Sequence, residues 1–120
     1  MALKQSVVTK ALVTAEYWYI PEVRYNKARG EVIALFHLFV DQAAREGGAQ
    51  PVLPNAAKLV INGPAFATYF GADNPDAALL QQQAYVAAKE AGVISDYGEP
   101  VMVDGKPNGL RSLFATAVDV

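Results

Sequence analysis

A chain of 120 residues with 52% hydrophobic and 18% charged residues has the size and apolar content of one folded domain, and disorder is excluded by that composition. A formal net charge of -2 with scattered Lys and Arg excludes the clustered basic surface that phosphate backbones require, so no nucleic acid is expected as a partner. The absence of cysteine removes disulfides, thiolate catalysis and sulfur-ligated zinc.

In chain order, residues 6–14 (Ser-Val-Val-Thr-Lys-Ala-Leu-Val-Thr) are rich in β-branched types and predict a first strand or extended arm. Glu16-Tyr17-Trp18-Tyr19-Ile20 continues in β-favouring residues until Pro21, which cannot donate a ladder hydrogen bond and implies an edge, a bulge or a strand start. The Asn and Gly of Tyr25-Asn26-Lys27-Ala28-Arg29-Gly30 suit the positive φ angles of a hairpin turn. Residues 31–41 then place Val32, Ala34, Phe36, Leu38 and Val40 on one face and Ile33, Leu35, His37 and Phe39 on the other, which predicts a central strand. Helical spacing of Val32, Phe36, Phe39 and Ala43 leaves open one helix over residues 31–46. The Val, Ile and Phe content favours the strand, with Asp41 to Glu46 a helical turn stopped by Gly47-Gly48.

Two prolines and an Asn make residues 49–57 a predicted loop, and Lys58-Leu59-Val60-Ile61-Asn62 a short strand ended by Gly63-Pro64. Phe66, Tyr69 and Phe70 suit more than one element. The clearest element is a helix over residues 75–91, with Asn74 as N-cap, Pro75 at its first position, Asp76 favourable to the helix dipole and Gly92 past its end. A helical wheel groups Leu80, Ala84, Ala87 and Ala91, with Ala77 and Ala88 beside them, against Gln82, Tyr85 and Lys89 opposite. After Gly92, Val101-Met102-Val103, a turn over residues 104–109 and residues 110–118 predict a second hairpin or an extended tail. The fold class is therefore α+β: a small antiparallel sheet of four to six strands packed by one main helix in the C-terminal half. Residues 1–97 form the core domain and residues 98–120 a C-terminal arm or hairpin, which either folds back to finish its own sheet or, the favoured reading, adds a strand to a neighbouring subunit.

Chemistry is hard to find in these residues. His37 is the single histidine, sits mid-strand among apolar neighbours, and reads as a packed side chain. No Gly-x-Ser-x-Gly, phosphate-cradling glycine loop or His-Glu-x-x-His is present. Asp73 and Asp76 flank a helix start and read as capping residues, and Asp41, Glu46 and Asp104 lie outside any calcium-loop pattern. No catalytic residue, cofactor or metal is expected. The apolar run at residues 32–40 is about half the roughly 20 residues of a membrane span. The Met-Ala-Leu-Lys-Gln-Ser start lacks the pattern of a secretory signal, which suggests assembly in a cytoplasm.

Tyr17, Trp18, Tyr19 and Tyr25 form the densest aromatic cluster, and alternation turns Tyr17 and Tyr19 away from Trp18. One set packs inward; the other faces solvent or a neighbouring subunit. The candidate interface residues are Tyr17, Tyr19 and Tyr25, with Val101, Val103, Leu113 and Phe114 from the closing segment.

The order of these features resembles small virion proteins of tailed bacteriophages, associated with the tail tip or baseplate. The resemblance rests on the Met-Ala-Leu-Lys start, the aromatic-Tyr strand, the segment Ala43-Ala44-Arg45-Glu46-Gly47-Gly48-Ala49-Gln50-Pro51-Val52, and the helix start from Asn74-Pro75 to Gln83-Ala84-Tyr85. It covers residues 1–91. The resemblance implies a non-enzymatic subunit in several copies, a homo-oligomer held by copies of itself and other virion proteins, located in the virion after assembly in the host cytoplasm. A small cytoplasmic module that holds an apolar or peptide ligand between sheet and helix is the alternative.

Overall fold

The computed structural model describes residues 2–71 and 77–120. Its elements run β1 (Leu3–Val8), β2 (Thr14–Tyr19), β3 (Val23–Asn26), β4 (Glu31–Phe39), α1 (Gln42–Glu46), β5 (Leu53–Ile61), α2 (Pro64–Phe70), α3 (Ala77–Ala91), β6 (Ile94–Ser95), β7 (Pro100–Val103), β8 (Lys106–Arg111) and β9 (Val118–Asp119). Seven strands form one antiparallel sheet in the order β6-β5-β4-β2-β1-β9, with β3 also on β4, and β7 and β8 form a separate hairpin. The α+β class predicted from sequence is the one observed, with a larger sheet. The molecule measures 39 × 37 × 20 Å. Twenty ångströms is the thickness of two packed layers at roughly 10 Å each; α2 and α3 cover one face of the sheet and the short α1 reaches only one end of the other.

Apolar side chains on both sides make β4 the central strand, paired with β2 and β3 along one edge and β5 along the other. Residues 31–46 are thus strand followed by helical turn. The turn is α1, where the Asp41 carboxylate accepts from the Ala44 N–H at 2.7 Å and Gly47 closes the end. The β3–β4 hairpin also forms where Asn26 and Gly30 predict it, with Asn26 Oδ1 accepting from the Arg29 N–H at 3.1 Å and Gly30 at a φ of 62°.

Pro21 has a wider effect than a strand end. Between the pairs Tyr19↔His37 and Val23↔Ala34, three residues (Ile20, Pro21, Glu22) face two (Leu35, Phe36), a bulge that separates β2 from β3. The bulge takes the Ile20 backbone out of the ladder, and α3 captures both of its polar groups. The Ile20 N–H donates to the Tyr85 hydroxyl oxygen at 2.7 Å, and Gln81 Nε2 donates to the Ile20 carbonyl at 2.7 Å. This corrects the helical wheel: Tyr85 lies inside, buried with Ala84, Ala87 and Ala88, while Gln82 and Val86 lie outside. The reason is that a buried backbone N–H without a partner costs more than turning the helix slightly. Asn74, Pro75, Asp76 and the side chain of Ala77 lie outside the described residues, so the predicted N-cap is not part of this description. Gly92, at a φ of 84°, ends α3 as expected.

Three other expectations change. Residues 6–14 are not one strand: β1 ends at Val8, and Thr9 to Val13 turn back into β2, with Leu12 at a φ of 62°. Composition could not reveal this, because every residue of that turn except Lys10 and Ala11 favours strands. Next, β5 begins at Leu53, not Lys58, and Pro54, Asn55 and Ala56 bulge opposite His37. Pro54 is tolerated because a bulge asks for no ladder hydrogen bond there.

The largest correction concerns residues 98–120: the expected hairpin forms as β7–β8, but the residues after it fold back into the core and are not a separate arm. Phe114 is fully buried, with its ring 5.1 Å from Trp18 and 4.8 Å from Phe36, and Leu113 and Ala117 join the same core. β9 completes the sheet by pairing with β1. Two glycines allow this return. A Cβ on Gly92 would sit 2.8 Å from the Arg111 carbonyl, and one on Gly98 would sit 2.9 Å from the Leu113 backbone. The boundary expected at residue 97 therefore falls inside one hydrophobic core.

Candidate functional site

Aromatic side chains occupy the middle of the space between sheet and α3. Trp18, Phe36, Tyr85 and Phe114 fill that space, and each is no more than 1% exposed. The opposite face of the sheet has no such cover. Alternation along β4 sends Ile33, Leu35, His37 and Phe39 to it, β2 contributes Tyr17 and Tyr19, β3 contributes Arg24, and β5 contributes Lys58 and Val60. α1 shields one end only. There Tyr17 and Phe39 pack edge to face at 6.3 Å, and the Arg45 guanidinium lies 3.8 Å from the centre of the Tyr19 ring. Burial is the main cause that raises the Tyr17 hydroxyl pKa above the usual range, with Glu46 and Tyr19 adding to it and Arg45 opposing.

The uncovered remainder is concave. The Pro21 bulge on one side and the β5 bulge on the other bound a groove of about 430 Å³, floored by Ile33 and Leu35 and edged by Pro21, Glu22, Arg24, His37 and Asn55. Glu22 and Arg24 form a solvent-exposed ion pair at 3.8 Å on its rim. Although His37, Glu22 and Asn55 share this groove, no hydrogen bond joins the histidine ring to either among the described residues. The groove therefore holds an apolar floor with a charged edge, a surface suited to contact.

A second feature is an exposed turn whose Thr9, Lys10 and Ala11 border a cavity of about 410 Å³ with Leu53, Pro54 and Tyr97. The β1–β2 turn is closed by the Thr9 N–H to the Val13 carbonyl at 2.9 Å and the Leu12 N–H to the Thr9 carbonyl at 2.9 Å. It holds Leu12 at a positive φ, 84% exposed, with Val8 58% exposed beside it. Lys10 on the same turn pairs with Asp96 at 3.5 Å. The β7–β8 hairpin likewise turns Met102 and Val103 to solvent.

The seven interface residues expected from sequence are divided by this geometry. Tyr19 lies on the open face and Val103 on the exposed hairpin, with Val101 half-buried beside it. Tyr17 is buried with Ala2 and Phe39, and Tyr25 stacks on Phe66 at 5.6 Å. Leu113 and Phe114 belong to the core. The groove residues Ile33 and Leu35 and the tip residue Leu12 were not singled out by sequence. For the groove a signal was present: a strand apolar on both faces next to only one helix leaves one face without a partner.

The described residues hold no group of three or more His, Asp or Glu able to hold a metal, and no described helix is long and apolar enough to cross a membrane. The fold and surface together define a two-layer α+β domain with one sheet face unpartnered. No protein family, curated protein or solved structure matches the chain.

Proposed function

We propose that this chain is a non-enzymatic structural subunit of a bacteriophage virion, of the tail, tail tip or baseplate, present in several copies and acting through subunit contacts. The observation that carries the assembly part of this reading is where apolar surface has been left. The chain buries Trp18, Phe36, Tyr85 and Phe114 in its core, yet exposes Leu12, Val8, Met102, Val103 and Val118 by half or more and leaves most of one sheet face uncovered. Large apolar side chains set at exposed turns and on one largely uncovered face mark sites of protein contact. The virion itself is supported by the order of sequence features described above. The alternative, a ligand held between sheet and helix, has less support because aromatic side chains occupy that space.

Mass spectrometry of purified particles from the phage that encodes the chain tests this reading. The expected result is the chain at a fixed ratio to tail proteins, unchanged when His37 is replaced by Gln. A chain found only in the lysate supernatant, and never in particles, would overturn it.

A further inference from the structure

We propose that strand β7 of one copy pairs antiparallel with β7 of a second copy across a two-fold axis at Met102, joining the two β7–β8 hairpins into one continuous ribbon. This deepens the assembly reading and rests on it.

The direction of the backbone groups on β7 follows from one bridge. Val93 and Arg111 exchange both of their N–H···O=C bonds, so the backbone groups of Arg111 face Val93 and not β7. Pro100, opposite Arg111, therefore turns its carbonyl away from β8, and alternation turns the N–H and carbonyl of Met102 the same way. Pro107, opposite Met102, agrees with this register, because a proline costs no ladder bond where its N–H would point outward. At the tip, Asp104 and Gly105 form a two-residue loop with φ angles of 51° and 75°, closed by the Val103↔Lys106 pair. That closure draws the Val103 carbonyl inward and leaves the Asp104 N–H pointing outward. The irregularity of the hairpin lies in β8, where Asn108, Gly109 and Leu110 stand opposite Val101, so the outer edge of β7 stays regular. Among the described residues β8 is the only strand partner of β7.

An open edge of this kind invites another strand, and sheets guard against that with charge, proline or brevity. The other strands with one partner are guarded: β3 carries Arg24 beside Glu22, and β9 is two residues long and carries Asp119, paired with Lys89. β7 has no charge, and its proline stands at the end. Met102 and Val103 are 56% and 52% exposed on opposite faces of the hairpin.

A second β7 fits this edge because the outward groups are their own complement. With the two Met102 residues opposite each other, each donates its N–H to the other's carbonyl. The Asp104 N–H of each copy then meets the Pro100 carbonyl of the other, the one backbone group Pro100 offers. Val101 of one copy faces Val103 of the other on one side of the ribbon, and the Met102 side chains meet on the opposite side. The contact is isologous and closes on itself, so growth beyond two copies needs other surfaces. Over so short an edge it is weak and depends on concentration.

Sedimentation of the full chain and of Met102 variants tests this contact. Met102→Lys adds a guarding charge to the edge, and Met102→Pro removes the outward N–H without breaking a bond of the chain's own ladder. Each is expected to keep the wild-type circular dichroism and to dimerise at least about tenfold more weakly, since the two-fold axis applies each loss twice. If Met102→Pro does not fold, Met102→Lys decides this arm. The chain has no cysteine, so Met102→Cys reports the register directly. Opposite residues of a hydrogen-bonded pair have Cα atoms about 5.5 Å apart, within reach of a disulfide, and mild oxidation should link Met102→Cys into dimers. Val103→Cys is comparably exposed, but its two copies lie on either side of the axis and out of reach, so it should stay unlinked. Self-association unchanged by Met102→Lys would overturn the β7 contact while leaving the assembly reading in place. Linking at residue 103 and not at 102 would overturn the two-fold register. A wild-type chain that stays monomeric up to about 1 mM would overturn the pairing itself, and particle composition would then judge the assembly reading separately.

Discussion

Leu12 and Tyr85 are the two residues whose environments depart furthest from what their types suggest. Leu12 gives up stability for exposure, so Leu12→Gly should raise the melting temperature, by relief of roughly 1 kcal/mol of backbone strain offset in part by the greater freedom of Gly in the unfolded chain. A melt that falls would show that the leucine packs on its own chain. Tyr85 accepts the Ile20 N–H freed by the Pro21 bulge, and Tyr85→Phe should cost about 1–3 kcal/mol by leaving that donor unpaired. Burial, the largest cause, pushes the Tyr85 hydroxyl well above its ordinary value of 10.0, and the bond from Ile20 opposes it only in part. Because the folded state disfavours ionisation, this group's contribution is fully present below pH 10 and is lost as pH rises past its raised value. Tyr17 and Tyr69, also raised mainly by burial, add to the same alkaline limb. Denaturant titrations across that range should therefore show a shallower loss in Tyr85→Phe than in the wild type.

Among the elements, the ones with local punctuation were legible. Asn26 and Gly30 marked a hairpin, Asp41 and Gly47 bounded α1, Gly92 ended the main helix, and apolar residues on both faces made β4 central. What local chemistry could not show were the partners chosen at long range. Nothing near Tyr85 says that a bulge sixty-five residues earlier needs its hydroxyl. In the same way, the turn at Thr9–Val13 uses β-branched residues and a leucine in place of Gly, so propensity read through it. In the closing segment Asp104-Gly105 correctly marked the β7–β8 hairpin, whereas the return to the core was missed because its decisive residue, Phe114, acts through Trp18 and Phe36. Two substitutions check this packing. Gly98→Ala should destabilise clearly, because its Cβ would lie within 2.9 Å of the Leu113 backbone at a φ of 82°. Ala84→Phe should cost roughly 1–3 kcal/mol by overpacking the contact of α3 with the sheet, and an unchanged melting temperature would refute that contact.

For the whole molecule, the governing fact is a sheet of seven strands with α2 and α3 on one face and only the short α1 at one end of the other. Folding of the single chain is complete, since the C-terminal segment fills the core and β9 closes the sheet edge beside β1. What remains exposed among the described residues is a concave apolar face and a turn that holds Leu12 at a positive φ. The account thus makes assembly a property of the folded chain and not of a trailing arm. Truncation at Gly98 should accordingly abolish folding, because it removes Phe114 and β9, and not leave a folded monomer that has merely lost its partners. The most direct measurement of the central claim is sedimentation of the purified wild-type chain over a wide concentration range. Stepwise growth from 12.8 kDa to its multiples as concentration rises is the result this account predicts, and a single 12.8 kDa species at every concentration would contradict it.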